Sequence, residues 1–200
     1  MVISVQQTIN GKETIEKQET VYSVASYPYD AIALDCATVR KKGRNALTYI
    51  ASPATFDIES TTLTGEKPEA FMYHWQFCLN EKVCFGRTWE EWQEFMHKLG
   101  TALGLDSKKV LIIYVHNLAY EFMFMKDFLH IESLFAREAH KIIKLLSCLN
   151  NDYEKSINKV GNVSRETFSL PFFEFRCSYF LSNMSLSKFC ENSKYCTHYK

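Results

Sequence analysis

The chain has 200 residues, 46% hydrophobic and 23% charged, with 23 basic residues balanced by 23 acidic ones. That length is enough for one domain with a real core, and the zero net charge excludes a polycation that coats nucleic acid by charge alone. The longest apolar stretch, around Val110 to Val115, is too short for a bilayer, and seven scattered cysteines with no CxxC pair read as free thiols in a reducing cytoplasm rather than as a disulfide framework or zinc site.

Residues 1–50 read as an N-terminal arm or small β extension, with polar residues from Gln6 to Glu19 and an apolar alternation from Val21 to Ile32. Arg40, Lys41, Lys42 and Arg44 around Gly43 read as a solvated hairpin tip or loop. Ala54 to Ile58 reads as a short buried strand. Ala70 to Leu79 reads as a second, and Lys82 to Gly86 as a third after an Asn80-Glu81 turn. Thr88 with Glu91 three residues on forms a capping box, and Trp89, Trp92, Phe95, Met96 and Leu99 then recur at helical spacing. Lys109 to Val115 is a continuous β-branched run, the signature of a strand buried on both faces. Asn117 is expected to cap a helix running to about Leu129, and Ile131–Phe135 and Ile142–Leu146 to form a strand pair. Residues 149–169 are polar and aperiodic and read as an inserted surface loop. Phe172 to Tyr179 reads as another strand, and Ser185 to Asn192 as the start of a helix. Strands and helices mixed in this order predict an α/β domain over residues 51–200, with a mixed β-sheet flanked by helices.

Two groups of residues point to chemistry. Asp57 and Glu59 stand two apart on a strand, so both carboxylates project from one face. Such carboxylates repel each other, and a hard divalent cation relieves that repulsion. The second group is YVHNLAYEFMF, residues 114–124, where a buried strand hands over to a helix, a usual place for an α/β site. Asn117 and Glu121 lie four apart, on one helical face. Structural roles are open for each: a cap for Asn117, a favourable helix-start charge for Glu121, and core packing for Tyr120, Phe122 and Phe124.

FDIEST, followed some sixty residues later by YVHNLAYEF, resembles the first two exonuclease motifs of family B DNA polymerases, in particular the protein-primed phage type. In that family these motifs have the forms D-x-E-T-T and H-N-L-x-F-D. FEFRCSYFLSNMSLSKFC, residues 173–190, resembles the family's next stretch, where a serine follows a strand and precedes a helix. The resemblance covers about residues 52–200. It implies a ribonuclease-H-like exonuclease fold that hydrolyses mispaired 3′-terminal nucleotides by two-metal catalysis, using two Mg²⁺ or Mn²⁺ ions. Asp57 and Glu59 are then the metal ligands, with Glu121 as the second-motif acid. Ser60, His116, Asn117, Leu118, Tyr120 and Ser178 are expected to bind the single-stranded 3′ end of DNA, with Tyr114 close by. The implied partners of the parent polymerase are primer-template DNA, nucleotides and a terminal protein primer, with no membrane.

Two departures stand out. Glu121 occupies a position where the family has Asp, which carries its carboxylate one methylene further out. The family's third motif, Tyr-x-x-x-Asp, does not occur before Lys200, so the domain is expected to be incomplete at its C-terminus. The alternative is a catalytically silent module that binds single-stranded DNA ends.

Overall fold

The computed structural model describes residues 2–9, 13–43, 46–65, 68–138, 140–160, 170–185 and 187–188. An antiparallel pair, β1 (Val2–Ile9) and β2 (Glu13–Tyr22), opens the chain. A short helix, α1 (Tyr29–Asp35), leads to a hairpin of β3 (Thr38–Arg40) and β4 (Thr48–Ile50). Arg40, Lys41, Lys42 and Gly43 are exposed at the tip of this hairpin, as expected; Arg44 lies outside the described residues.

The centre of the fold follows from alternation. In β5 (Ala54–Leu63), Ala54, Phe56 and Ile58 are buried, and the residues between them face the other way. β6 (Glu69–Leu79) pairs antiparallel with β5, and β7 (Lys82–Gly86) pairs antiparallel with β6. The two-residue turn between β6 and β7 places both Asn80 (φ 47°) and Glu81 (φ 61°) in the left-handed region. Strand twist favours that geometry in a tight hairpin. Thr88 then caps α2 (Trp89–Ala102), and the reciprocal bonds of the capping box are both made. Trp92, Phe95, Met96 and Leu99 are fully buried on its inner face. Phe95 meets the rings of Tyr27 and Phe77 at 5.0 Å and that of Trp75 at 5.5 Å. Gly100 lets α2 approach closely: an added Cβ would come within 2.3 Å of Pro171.

β8 (Lys109–Val115) is the buried central strand. β4 and β5 pair in parallel with its first and last residues, respectively. α3 (Leu118–Met125) follows, then a 3₁₀ turn over Lys126–Phe128. β9 (Leu129–Ala136) and β10 (Ile142–Leu149) form an antiparallel pair. α4 (Asn150–Val160), β11 (Phe172–Cys177) and the short α5 (Tyr179–Ser182) complete the described elements.

The main path of the sheet runs β1-β2-β7-β6-β5-β8-β11-β10-β9. Its central five strands, taken in chain order from β5, stand 3-2-1-4-5, with β6 alone antiparallel to the others. This mixed α/β sheet with flanking helices is the ribonuclease-H-like arrangement implied by the sequence resemblance.

Two expectations need correction, and a third falls largely outside the described residues. Residues 150–160 are helical rather than part of a loop, whereas 161–169 lie outside the described residues. α4 docks through polar and ring contacts: Asp152 pairs with His97 at 2.8 Å, and Tyr153 stacks on His130 at 3.5 Å. α3 ends at Met125, and the chain re-enters the sheet at Leu129, where a longer helix was expected. Of the helix expected from Ser185, Ser187 and Lys188 are helical, and residues 186 and 189–192 lie outside the described residues. No described helix is long and apolar enough to cross a membrane. Cys36, Cys84, Cys148 and Cys177 carry free thiols.

Candidate active site

The strand-to-helix junction after β8 brings the two predicted groups together. Val115 ends the strand, and Asn117 turns the chain with φ 63° and ψ 52°. Asparagine tolerates this left-handed conformation better than most residues. Its side chain makes no capping bond, contrary to the sequence expectation. Leu118 is fully buried in the core. Its side chain anchors the turn, because an apolar residue at this junction gains more from the core than from solvent.

Glu121, one turn further along α3, is only 4% exposed and approaches Asp57 of β5. Burial pushes its carboxyl up to about 8, its own backbone N–H counters in part, and the neighbouring charge of Asp57 raises it further. Glu121 Oε2 is buried without a hydrogen-bond partner. Asp57 can accept a hydrogen bond from Glu121 only while Glu121 keeps its proton; once both ionise, the pair is repulsive. Glu59 lies on the same face as Asp57, two residues along and exposed. The strand continues into a β-bulge between Glu59 and Ser60.

Beyond the bulge, Ser60 Oγ and the Tyr120 hydroxyl are hydrogen-bonded at 2.5 Å, linking β5 to α3. The Tyr120 ring is 45% exposed and packs edge-on against Phe124 at 5.3 Å. At the adjoining end of β11, Ser178 Oγ lies 3.2 Å from His116 Nδ1, and the Ser178 backbone N–H donates to Val115 O at 2.9 Å. The His116 ring meets Tyr179 edge-on at 5.7 Å. The predicted residues therefore gather at the C-terminal ends of β8 and β11 beside β5, the position where open α/β sheets bind ligands.

Asp57, His116 and Ser178 also line a cleft of about 650 Å³, to which Phe56 and Phe77 contribute as well. Thr55, Gln76, Tyr114 and Ser182 complete its polar lining. Gln76 was not among the residues singled out from sequence, although its Nε2 donates to Asp57 Oδ2 at 3.4 Å. Its importance rests on the β5–β6 register, which the bulge conceals from a reading of spacing alone.

The donor set suits a hard cation in part. Asp57 and Glu121 offer carboxylate oxygens, one of them buried and unpartnered. Mg²⁺ is commonly bound by one or two carboxylates, with water and substrate phosphate completing its shell. Among the described residues, no three or more His, Cys, Asp or Glu side chains group closely enough to hold a metal. The acids meet as a pair, with Glu59 set apart.

No protein-family model and no curated protein matches the chain. Among solved structures, the chain is similar to part of phi29 DNA polymerase complexed with primer-template DNA, in a post-translocation binary complex. That match has a TM-score of 0.49 and 11% identity, and it covers 74% of this chain and 24% of the polymerase. A second structure, phi29 DNA polymerase complexed with single-stranded DNA, matches with a TM-score of 0.44 and 12% identity, over 70% of this chain and 23% of that one. The chain thus spans about a quarter of the length of the polymerase chains it matches.

Proposed function

We propose that this chain carries the 3′→5′ exonuclease site of a family B DNA polymerase of the protein-primed phage type, and removes mispaired nucleotides from a DNA 3′ end. The observation that carries this reading is the convergence of Asp57 with the buried Glu121 carboxyl, whose Oε2 has no hydrogen-bond partner, at the end of the central parallel strands. Without a cation the pair rests on the proton that Glu121 keeps; a divalent cation would take that proton's place between two ionised carboxylates.

In this reading Asp57, Glu59 and Glu121 hold Mg²⁺ or Mn²⁺. When bound, such ions supply charge neutralisation at the scissile phosphate and activation of the attacking water. The protein does the rest by positioning. Tyr120 presents an exposed ring on which a frayed terminal base stacks, a contact that is tolerant of sequence. Its bond to Ser60 fixes the ring, and Asn117, His116 and Ser178 supply polar groups to the strand beyond it. Leu118, from the core, holds the turn that aims Asn117 and Tyr120. In the parent polymerase the partners are primer-template DNA, nucleotides and a terminal protein.

A second reading is favoured by one observation, the exposure of Glu59 away from the Asp57–Glu121 pair. It is a module that binds single-stranded DNA ends without cutting them. Incubation of the full chain with a 5′-labelled single strand and Mn²⁺ separates the two. The exonuclease reading expects a ladder shortening one nucleotide at a time, lost in Asp57→Ala. Retention of the strand without shortening favours the silent module. Absence of both binding and shortening contradicts both.

A further inference from the structure

The strand beside the two motif acids presents a polar partner opposite each of them. Gln76 on β6 is the register partner of Asp57, and His74 that of Glu59. Directly opposed residues of an antiparallel pair share a sheet face and lie close enough for their side chains to touch. Gln76 Nε2 does so, donating to Asp57 Oδ2 at 3.4 Å. An ionised carboxylate only accepts hydrogen bonds, so the amide must turn its nitrogen, not its oxygen, towards Asp57. The His74 ring rests on Phe85 at 5.4 Å, which keeps this part of β6 ordered beside Glu59.

We propose that Gln76 is a positioning residue for Asp57, holding one carboxylate oxygen so that the other is presented towards Glu121 and a bound cation. The inference rests on the reading of Asp57 as a metal ligand. Partners that orient a ligand in this way typically change metal affinity by about 10- to 100-fold when removed. Gln76 is itself exposed at the cleft. Its loss therefore acts on the disposition of Asp57 with little effect on the stability of the fold.

The test is a Mn²⁺ titration of the full chain, followed by electron paramagnetic resonance. Wild type is compared with Gln76→Leu, Asp57→Asn and the double variant, and the Gln76 side-chain amide resonances are recorded without metal. Gln76→Leu is expected to weaken Mn²⁺ binding about tenfold at an unchanged melting temperature. The double variant is expected to be no weaker than Asp57→Asn alone, since Gln76 acts only through Asp57. Asp57→Asn is expected to shift the Gln76 amide protons. Should Gln76→Leu fail to fold, an unmoved Gln76 amide in Asp57→Asn still overturns the proposal. If Mn²⁺ binding depends on Asp57 but not on Gln76, the positioning role is overturned and the metal site stands. If binding is indifferent to Asp57, the metal-site reading fails and the positioning role falls with it.

Discussion

Glu121 carries a cost only when it ionises. A carboxyl pushed from its ordinary 4.5 to about 8 holds a proton in the folded chain that the unfolded chain has already lost. Between those two values the unfolded state binds fewer protons, so stability falls as pH rises and levels off above about 8. For a group this buried, the loss is on the order of 4 kcal/mol across the window. In metal-free buffer, Glu121→Gln should flatten that part of the stability curve, as read by urea unfolding at pH 5 and pH 8. Parallel pH profiles of the variant and wild type would contradict the assignment. The residue one methylene longer than the family's Asp is thus, in this chain, the one whose ionisation is most strongly disfavoured at the site. Tyr120 and Ser60 illustrate a different residue-scale effect. One hydrogen bond joins an exposed ring to the strand that carries the acids, tying α3 to β5.

At the scale of elements, local chemistry made much of the fold readable. The Thr88–Glu91 capping box and the stripe from Trp89 to Leu99 marked α2, because both are properties of neighbouring residues. The β6–β7 hairpin was equally legible from Asn80-Glu81, yet its second turn residue is a poor fit. Glu81 at φ 61° bears a side chain where the turn favours none, a cost of about 1 kcal/mol. Glu81→Gly should therefore raise the melting temperature by about 2 °C despite the added freedom of the unfolded chain. A lower melting temperature would show that the side chain is tolerated without strain. α4 escaped the reading because its first two turns, residues 150–156, are polar apart from Tyr153. Its docking rests on Asp152 with His97 and on Tyr153 with His130, partners distant in sequence. The length of α3 was overestimated because Phe128 and Leu129 resume the apolar pattern after Lys126 and Asp127, where the chain has already turned towards β9.

At the scale of the whole molecule, the 3-2-1-4-5 order of the central strands gives the site its geometry. It sets β5 beside the end of β8, so that a DxE strand and a strand-to-helix junction some sixty residues apart share one edge of the sheet. Sequence spacing revealed that the two groups exist, and the family resemblance implied that they meet. The contact between Asp57 and Gln76 was not visible in either, because a bulge after Glu59 shifts the pairing by one residue.

The central claim is that Asp57 and Glu121 together hold a divalent cation, and calorimetric titration of the full chain with Mn²⁺ tests it most directly. The account predicts saturable binding that is weakened at least tenfold in Asp57→Ala and in Glu121→Gln, with proton release on binding at pH 7 as Glu121 gives up its proton. Binding that is absent, or that is unchanged in both variants, would contradict it.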